Sequence, residues 1–204
     1  MDAIQLFLND HARVHSAAVG GAEGNAFIED AVLGGLSDEQ LRARPGEGLN
    51  SIGWLIWHLA RTEDLAANIL VGGRKQVLEE DGWLERLGLS RQDIGTGMSD
   101  DEVTEFTAQA DLSAIRAYRV AVGRRTREIV SSMRPEELDD IVDPGTIERA
   151  FADSVIDERA QWLRGFLGGK TKAFVLGHSA TGHGYMHIGE IMCLRSLLGA
   201  RLPV

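Results

Sequence analysis

The sequence predicts an all-α protein, a four-helix bundle with short additional helices in its connections. Three observations carry this. Apolar residues recur at helical spacing through four long segments, no two alternating segments flank a hairpin turn, and helix start and stop signals bracket the apolar runs. The 204 residues suit one domain spanning 1–204, long enough to bury a core without disulfides.

The first helical region runs from about Ile4 to Leu33, with Gly20, Gly21 and Gly24 weakening its middle and able to break it in two. Ser37-Asp38-Glu39-Gln40 starts a short helix. Asn50 or Ser51 then caps a strong helix from about Ile52 to Val71, which Gly72-Gly73 stops. A short helix is expected around Val77 to Leu87. Ser99-Asp100-Asp101-Glu102 reads as a capping box opening a long helix through Leu112, Ile115, Tyr118, Val122 and Ile129, ended by Met133-Arg134-Pro135. Glu136 to Gly169 connects through one or two short helices to a last helix from about Thr171 to Leu198.

Composition narrows the function classes. With 31 acidic and 21 basic residues the net charge is −10, which repels a phosphate backbone and excludes nucleic acid as the expected partner. The lone Cys193 rules out an intrachain disulfide, and no signal-peptide pattern or membrane-length apolar run is visible, so a cytoplasmic location is expected.

The histidines carry the chemistry. His183 and His187 stand four apart, about 6 Å along a helix axis, on the arc of Leu176, Ala180, Ile191, Leu194 and Leu198 that should face the interior. One metal ion can bridge such a pair and satisfy two buried imidazole edges at once. His178 projects to the opposite side of that helix. His58 sits at the edge of the apolar arc of Ile52, Leu55, Leu59, Ala66 and Ile69; taken alone, it reads as a core imidazole bonded to a backbone carbonyl. His11 and His15 form a second pair of the same spacing, on the arc of Ile4, Phe7, Val14 and Ala18. Periodicity alone leaves that pair free to bind metal, line a cavity or pack as satisfied histidines.

The segments Asn50-Ser51-Ile52-Gly53-Trp54-Leu55-Ile56-Trp57-His58-Leu59-Ala60-Arg61-Thr62-Glu63-Asp64 and His183-Gly184-Tyr185-Met186-His187-Ile188-Gly189-Glu190, with Asp81-Gly82-Trp83 and Gly95-Thr96-Gly97-Met98, resemble the DinB-like superfamily. The resemblance implies a four-helix bundle, often a homodimer, holding a divalent metal on three histidines. Those positions match His58, His183 and His187 here. It also implies thiol transferases dependent on mycothiol or bacillithiol. A mycothiol-dependent isomerase of the superfamily carries an extra C-terminal domain, and the chain runs only a few residues past its last helix.

Three neutral imidazoles would leave an ion's charge uncompensated and coordination positions open. Zinc is the first expectation, with nickel, manganese or iron suiting the same ligands. A small thiol or water held there would lose its proton more readily. The leading expectation is therefore a transferase joining a small thiol to an electrophile; the alternatives are a noncatalytic metal-binding or stress-associated bundle and a metal-dependent hydrolase.

Glu190, one turn after His187, is placed either to orient a ligand imidazole or on a surface. Arg61, Glu63 and Asp64 are expected on a solvated face, Trp54, Trp57, Trp83 and Trp162 as packing anchors, and Cys193 as a small packing residue. Gly177, Gly182, Gly184 and Gly189 each cost a helix up to about 1 kcal/mol relative to alanine, which calls for a close helix approach or room for a substrate.

Overall fold

A computed structural model describes residues 2–21 and 27–200, and among these it is helical with a single isolated bridge between Ile141 and Thr171. The elements are α1 (Ala3–Val14), α2 (Ala17–Gly20), α3 (Ile28–Leu33), α4 (Asp38–Arg42), α5 (Ile52–Asp64), α6 (Trp83–Leu87), α7 (Asp100–Gln109), α8 (Leu112–Ser132), α9 (Pro144–Ala152), α10 (Leu163–Leu167), α11 (Lys172–Leu176) and α12 (His183–Leu197). A π-helical segment, Leu65–Val71, continues α5, and another, Gly177–Gly182, joins α11 to α12.

Local capping chemistry sets several of these starts. Ser37 and Gln40 close a reciprocal capping box on α4, Ser51 accepts from the Trp54 amide to begin α5, and Thr171 accepts from the Phe174 amide to begin α11. Of the two caps considered for α5, Ser51 is the one used.

The Ser99–Glu102 capping box is present, but the helix it opens stops at Gln109. The long helix begins afresh at Leu112, where the Asp111 carboxylate accepts from the Ala114 amide. The first region departs in a similar way. It breaks at His15 and Ser16, whose backbones are extended, before Gly20 and Gly21 are reached, and Gly24 lies outside the described residues. An extended His15 lets that imidazole turn inward with His11. The expected short helix at 77–87 divides into a 3-10 turn, Val77–Glu79, and α6. The 136–169 connection holds more than one or two helices: α9, α10 and two 3-10 turns.

The bundle is formed by α1, by α5 with its π extension, by α8, and by the run from α11 to α12. Every residue of α5 is buried, with α8, α12, α4 and α7 around it and α1 joined to it through His11 and Glu63. Its central position corrects the expectation for Arg61, Glu63 and Asp64. A helix surrounded on all sides has no solvated face, so its charged residues are buried and must be paired. Arg61 donates to the Asp64 carboxylate, the Tyr118 hydroxyl and the Gln76 side chain, while Asp64 accepts from the Val77 and Leu78 amides. This network fastens the 76–94 segment to the bundle.

The main core packs Leu55, Trp57, Ile115, Tyr118, Val122 and Ile191. Each fully buried apolar side chain of this kind contributes roughly 1.5–3 kcal/mol. A second cluster, with Ile147, Phe151, Ile156 and Leu167, lays the 135–170 connection against Leu65, Ala66, Leu70 and Val175. Trp54, Trp57 and Trp83 are buried anchors as expected, whereas Trp162 is 58% exposed on that connection. Cys193 is exposed as well, because it lies on the outer side of α12 and not in the packing. Of the four glycines in the last helical run, Gly184 answers to close approach: a Cβ there would lie 2.8 Å from Val14 Cγ2 on α1.

Candidate metal centre

His58 on α5 and His183 and His187 on α12 converge. Their ring centroids are 5.0, 5.2 and 4.4 Å apart for the pairs 58–183, 58–187 and 183–187, and one nitrogen from each ring lies within 4.8 Å of the others. Each ring is held from behind. The His58 Nδ1–H donates to the Ile94 carbonyl, and Ile94 is itself fixed by its amide donating to the Val155 carbonyl at 3.0 Å. Trp54 stacks on the His58 ring at 4.7 Å. The His187 Nδ1–H donates to the Glu190 carboxylate at 2.7 Å, so Glu190 orients the ring as one of its two expected roles required. The Thr62 hydroxyl gives its proton to the Leu59 carbonyl, and its oxygen then accepts from His183 Nδ1–H at 3.3 Å.

The Ile94 carbonyl and the Glu190 carboxylate can only accept, so Nδ1 of His58 and of His187 carries a proton, and the Nε2 atom of each ring is on the side away from these partners. The Nε2 atoms of His183 and His187 are 3.0 Å apart. At that distance the two nitrogens share either a proton or a metal ion, and with His58 they make a donor set suited to a divalent metal.

Burial reinforces neutrality: desolvation lowers the His58 pKa to about 4, and desolvation with the neighbouring His58 and His187 lowers that of His183 to about 2. The Glu190 carboxyl is lowered by its bond to His187, with a further bond from the Asn50 side chain. Asn50 thus serves the site and not the helix cap.

A cavity of about 170 Å³ opens beside the triad, bounded by His58, His183, the π extension of α5 and the 135–170 connection. His178 lines it, contrary to the expectation that it faces away. The expectation used 100° per residue, but Gly177–Gly182 winds as a π-helix, in which residues five apart share a face. His178 and His183 are five apart, and their rings stack at 5.8 Å. The two glycines bounding that segment and the i,i+5 histidine spacing were the available signals in the sequence.

His11 and His15 form a different cluster with Glu63. Each Nε2 lies 2.8 Å from a Glu63 oxygen, and Arg119 donates to the same carboxylate at 2.7 Å and to Glu29 at 3.1 Å. The histidines and Glu63 are wholly buried. Their ligand atoms also lie close enough for an ion, but the carboxylate is already met by three donors. Burial, then the Arg119 charge, lowers the His15 pKa to about 3. Burial opposes ionisation of Glu63, yet His15, His11 and Arg119 together hold it well below the usual carboxylate range.

Fold and site define a helical bundle whose buried histidines could hold a metal ion. The chain belongs to the DinB superfamily, whose family model matches residues 30–191. The crystal structure of a conserved protein from Enterococcus faecalis shares the fold, with a TM-score of 0.68 at 19% identity over 98% of this chain and 99% of that one. No curated protein matches the chain. No helix among the described residues is long and apolar enough to cross a membrane.

Proposed function

We propose that His58, His183 and His187 hold one divalent metal ion, zinc first among the candidates, and that the protein is a transferase joining a low-molecular-weight thiol to an electrophile. The supporting observation is the convergence of three imidazoles, with one nitrogen of each ring within 4.8 Å of the others and the Nε2 atoms of His183 and His187 3.0 Å apart. The ion supplies Lewis acidity that makes a coordinating thiol more acidic. The chain does the rest. Ile94, Thr62 and Glu190 orient the imidazoles, and the adjoining cavity admits the electrophile. The thiolate sulfur forms a bond to the electrophilic carbon as the leaving group departs with the bonding pair, and the thiol proton passes to solvent.

An open cavity at the triad favours this reading over a noncatalytic site, because structural metal sites are closed by protein ligands. Exposed Leu6, Met186 and Leu197 on α1 and α12 support the homodimer, and a lone, exposed Cys193 suits a reducing cytoplasm.

The test is thiol-dependent consumption of chlorodinitrobenzene by metal-loaded protein, followed with glutathione, mycothiol and bacillithiol in turn. Turnover lost in His187→Ala, with the helical circular dichroism retained, is expected. Equal consumption by wild type and variant would reject the transferase.

A further inference from the structure

The cavity beside the triad is chemically one-sided. His58 and His183 form the end next to the triad, and the remainder of its wall is made chiefly by Leu65, Leu70, Trp162 and Phe166, from the π extension of α5 and the 135–170 connection, with the His178 ring against Phe166. Apart from imidazoles, no titratable side chain lines it; the other polar groups are the hydroxyls of Thr62, Thr96 and Ser179. A charged group at the apolar end would meet no carboxylate, ammonium or guanidinium to pair with. Size sets the second limit. An apolar cavity on the order of 150 Å³ accommodates benzene, and this one measures about 170 Å³.

The aromatic part of the wall is itself ordered. Phe166 meets the edge of His178 at 4.8 Å and Trp162 at 5.8 Å, so its ring is fixed between two others and presents a preformed apolar surface. The π-helical turn matters here. By bringing His178 round to the cavity it supplies the ring against which Phe166 packs.

From size, charge and continuity with the triad we infer that the electrophilic substrate carries an uncharged apolar body of about one six-membered ring, which fills this cavity while its polar end faces His58 and His183. The orientation of the polar end rests on the metal reading above; the occupancy of the cavity does not.

Binding of three probes by calorimetry tests this, on metal-loaded and on chelator-stripped protein: para-methylbenzyl alcohol, para-(hydroxymethyl)benzoate and para-(hydroxymethyl)benzylamine. They present the same polar end and differ at the far end of the ring in charge. The neutral alcohol is expected to bind about tenfold or more tightly than either charged probe. Ala66→Leu, which adds bulk to the wall, should abolish that preference with metal stoichiometry unchanged, and Thr96→Phe at the half-buried rim serves the same end should Ala66→Leu not fold. Equal affinities for the three probes, no binding to metal-loaded protein, or binding indifferent to both variants would overturn the inference. Binding of the neutral probe, sensitive to the variants, by a protein that takes up no metal would uphold the cavity and reject the triad as a metal site.

Discussion

His183 and His187 share with His11 and His15 the same four-residue spacing, His15 standing just past the end of α1 on extended backbone, yet the two pairs are completed differently. Opposite His11 and His15 stands the Glu63 carboxylate, with Arg119 behind it, and the Nε2 atom of each ring meets an oxygen at 2.8 Å. Opposite His183 and His187 stands a third imidazole, and the oxygens are all on the outer side, at Nδ1. One arrangement closes on itself and ties α1 and α8 to α5. The other turns three imidazole nitrogens toward a common centre next to a cavity. Spacing identifies two imidazoles that can act together; what faces them determines the act.

The sharpest way to break this contrast is metal content. Elemental analysis after loading and repurification should give about one ion per chain for wild type and for a His11→Ala/His15→Ala double variant, and none for His58→Ala, His183→Ala or His187→Ala. Loss confined to the double variant would exchange the roles of the two clusters.

Stability should show the reverse pattern. Glu63→Gln leaves the buried Arg119 guanidinium without its nearest carboxylate and is expected to cost on the order of 3–5 kcal/mol in urea unfolding, while metal content stays at wild-type level. A cost no larger than that of a surface substitution would mean that the closed cluster holds little together.

Acid should act on the closed cluster through His15, over the same range in which it acts on the lowered His58 and His183 of the metal-stripped triad. His15 takes its proton at about 3 when folded and at 6.5 when unfolded, so the unfolded chain binds more protons between those values. Stability is therefore intact above about pH 6.5 and falls as pH drops toward 3, with a limiting slope of about 1.4 kcal/mol per unit from this residue. Glu63, held well below its ordinary range, adds loss in the same direction at lower pH still. Urea unfolding of metal-stripped protein at several pH values should show the slope, and His15→Gln should reduce it; an unchanged slope would remove His15 from the account.

The smallest effect expected is at the open cluster's support. Glu190→Gln keeps an acceptor for His187 Nδ1–H but removes the charge, and should weaken metal affinity by about 10- to 100-fold in a chelator competition without changing stoichiometry. Unaltered affinity would make Glu190 a bystander.

Much of the fold and part of the site were legible because their causes are local. Ser37, Ser51, Ser99 and Thr171 announce helix starts through bonds to amides three residues on. The pairing of His183 with His187 follows from helical pitch alone. His178 was misplaced because a π-helical turn replaces the assumed period, and Asn50 because its side chain serves Glu190 across the bundle. Arg61, Glu63 and Asp64 were misread for one shared reason: a helical projection distinguishes apolar from charged sides but cannot tell when a charged side meets protein.

By itself the sequence determined an all-α chain, most of its helix starts, and two histidine pairs able to act as units, since caps and pitch depend on neighbours a few residues away. Only the tertiary structure decided which pair faces a carboxylate and which a third imidazole, and that α5 is enclosed on every side. Those outcomes depend on residues more than forty positions apart in the chain, as with His11 and Glu63 or His58 and His183, and on the cost of leaving a buried polar group unpaired, which operates only once the helices are packed.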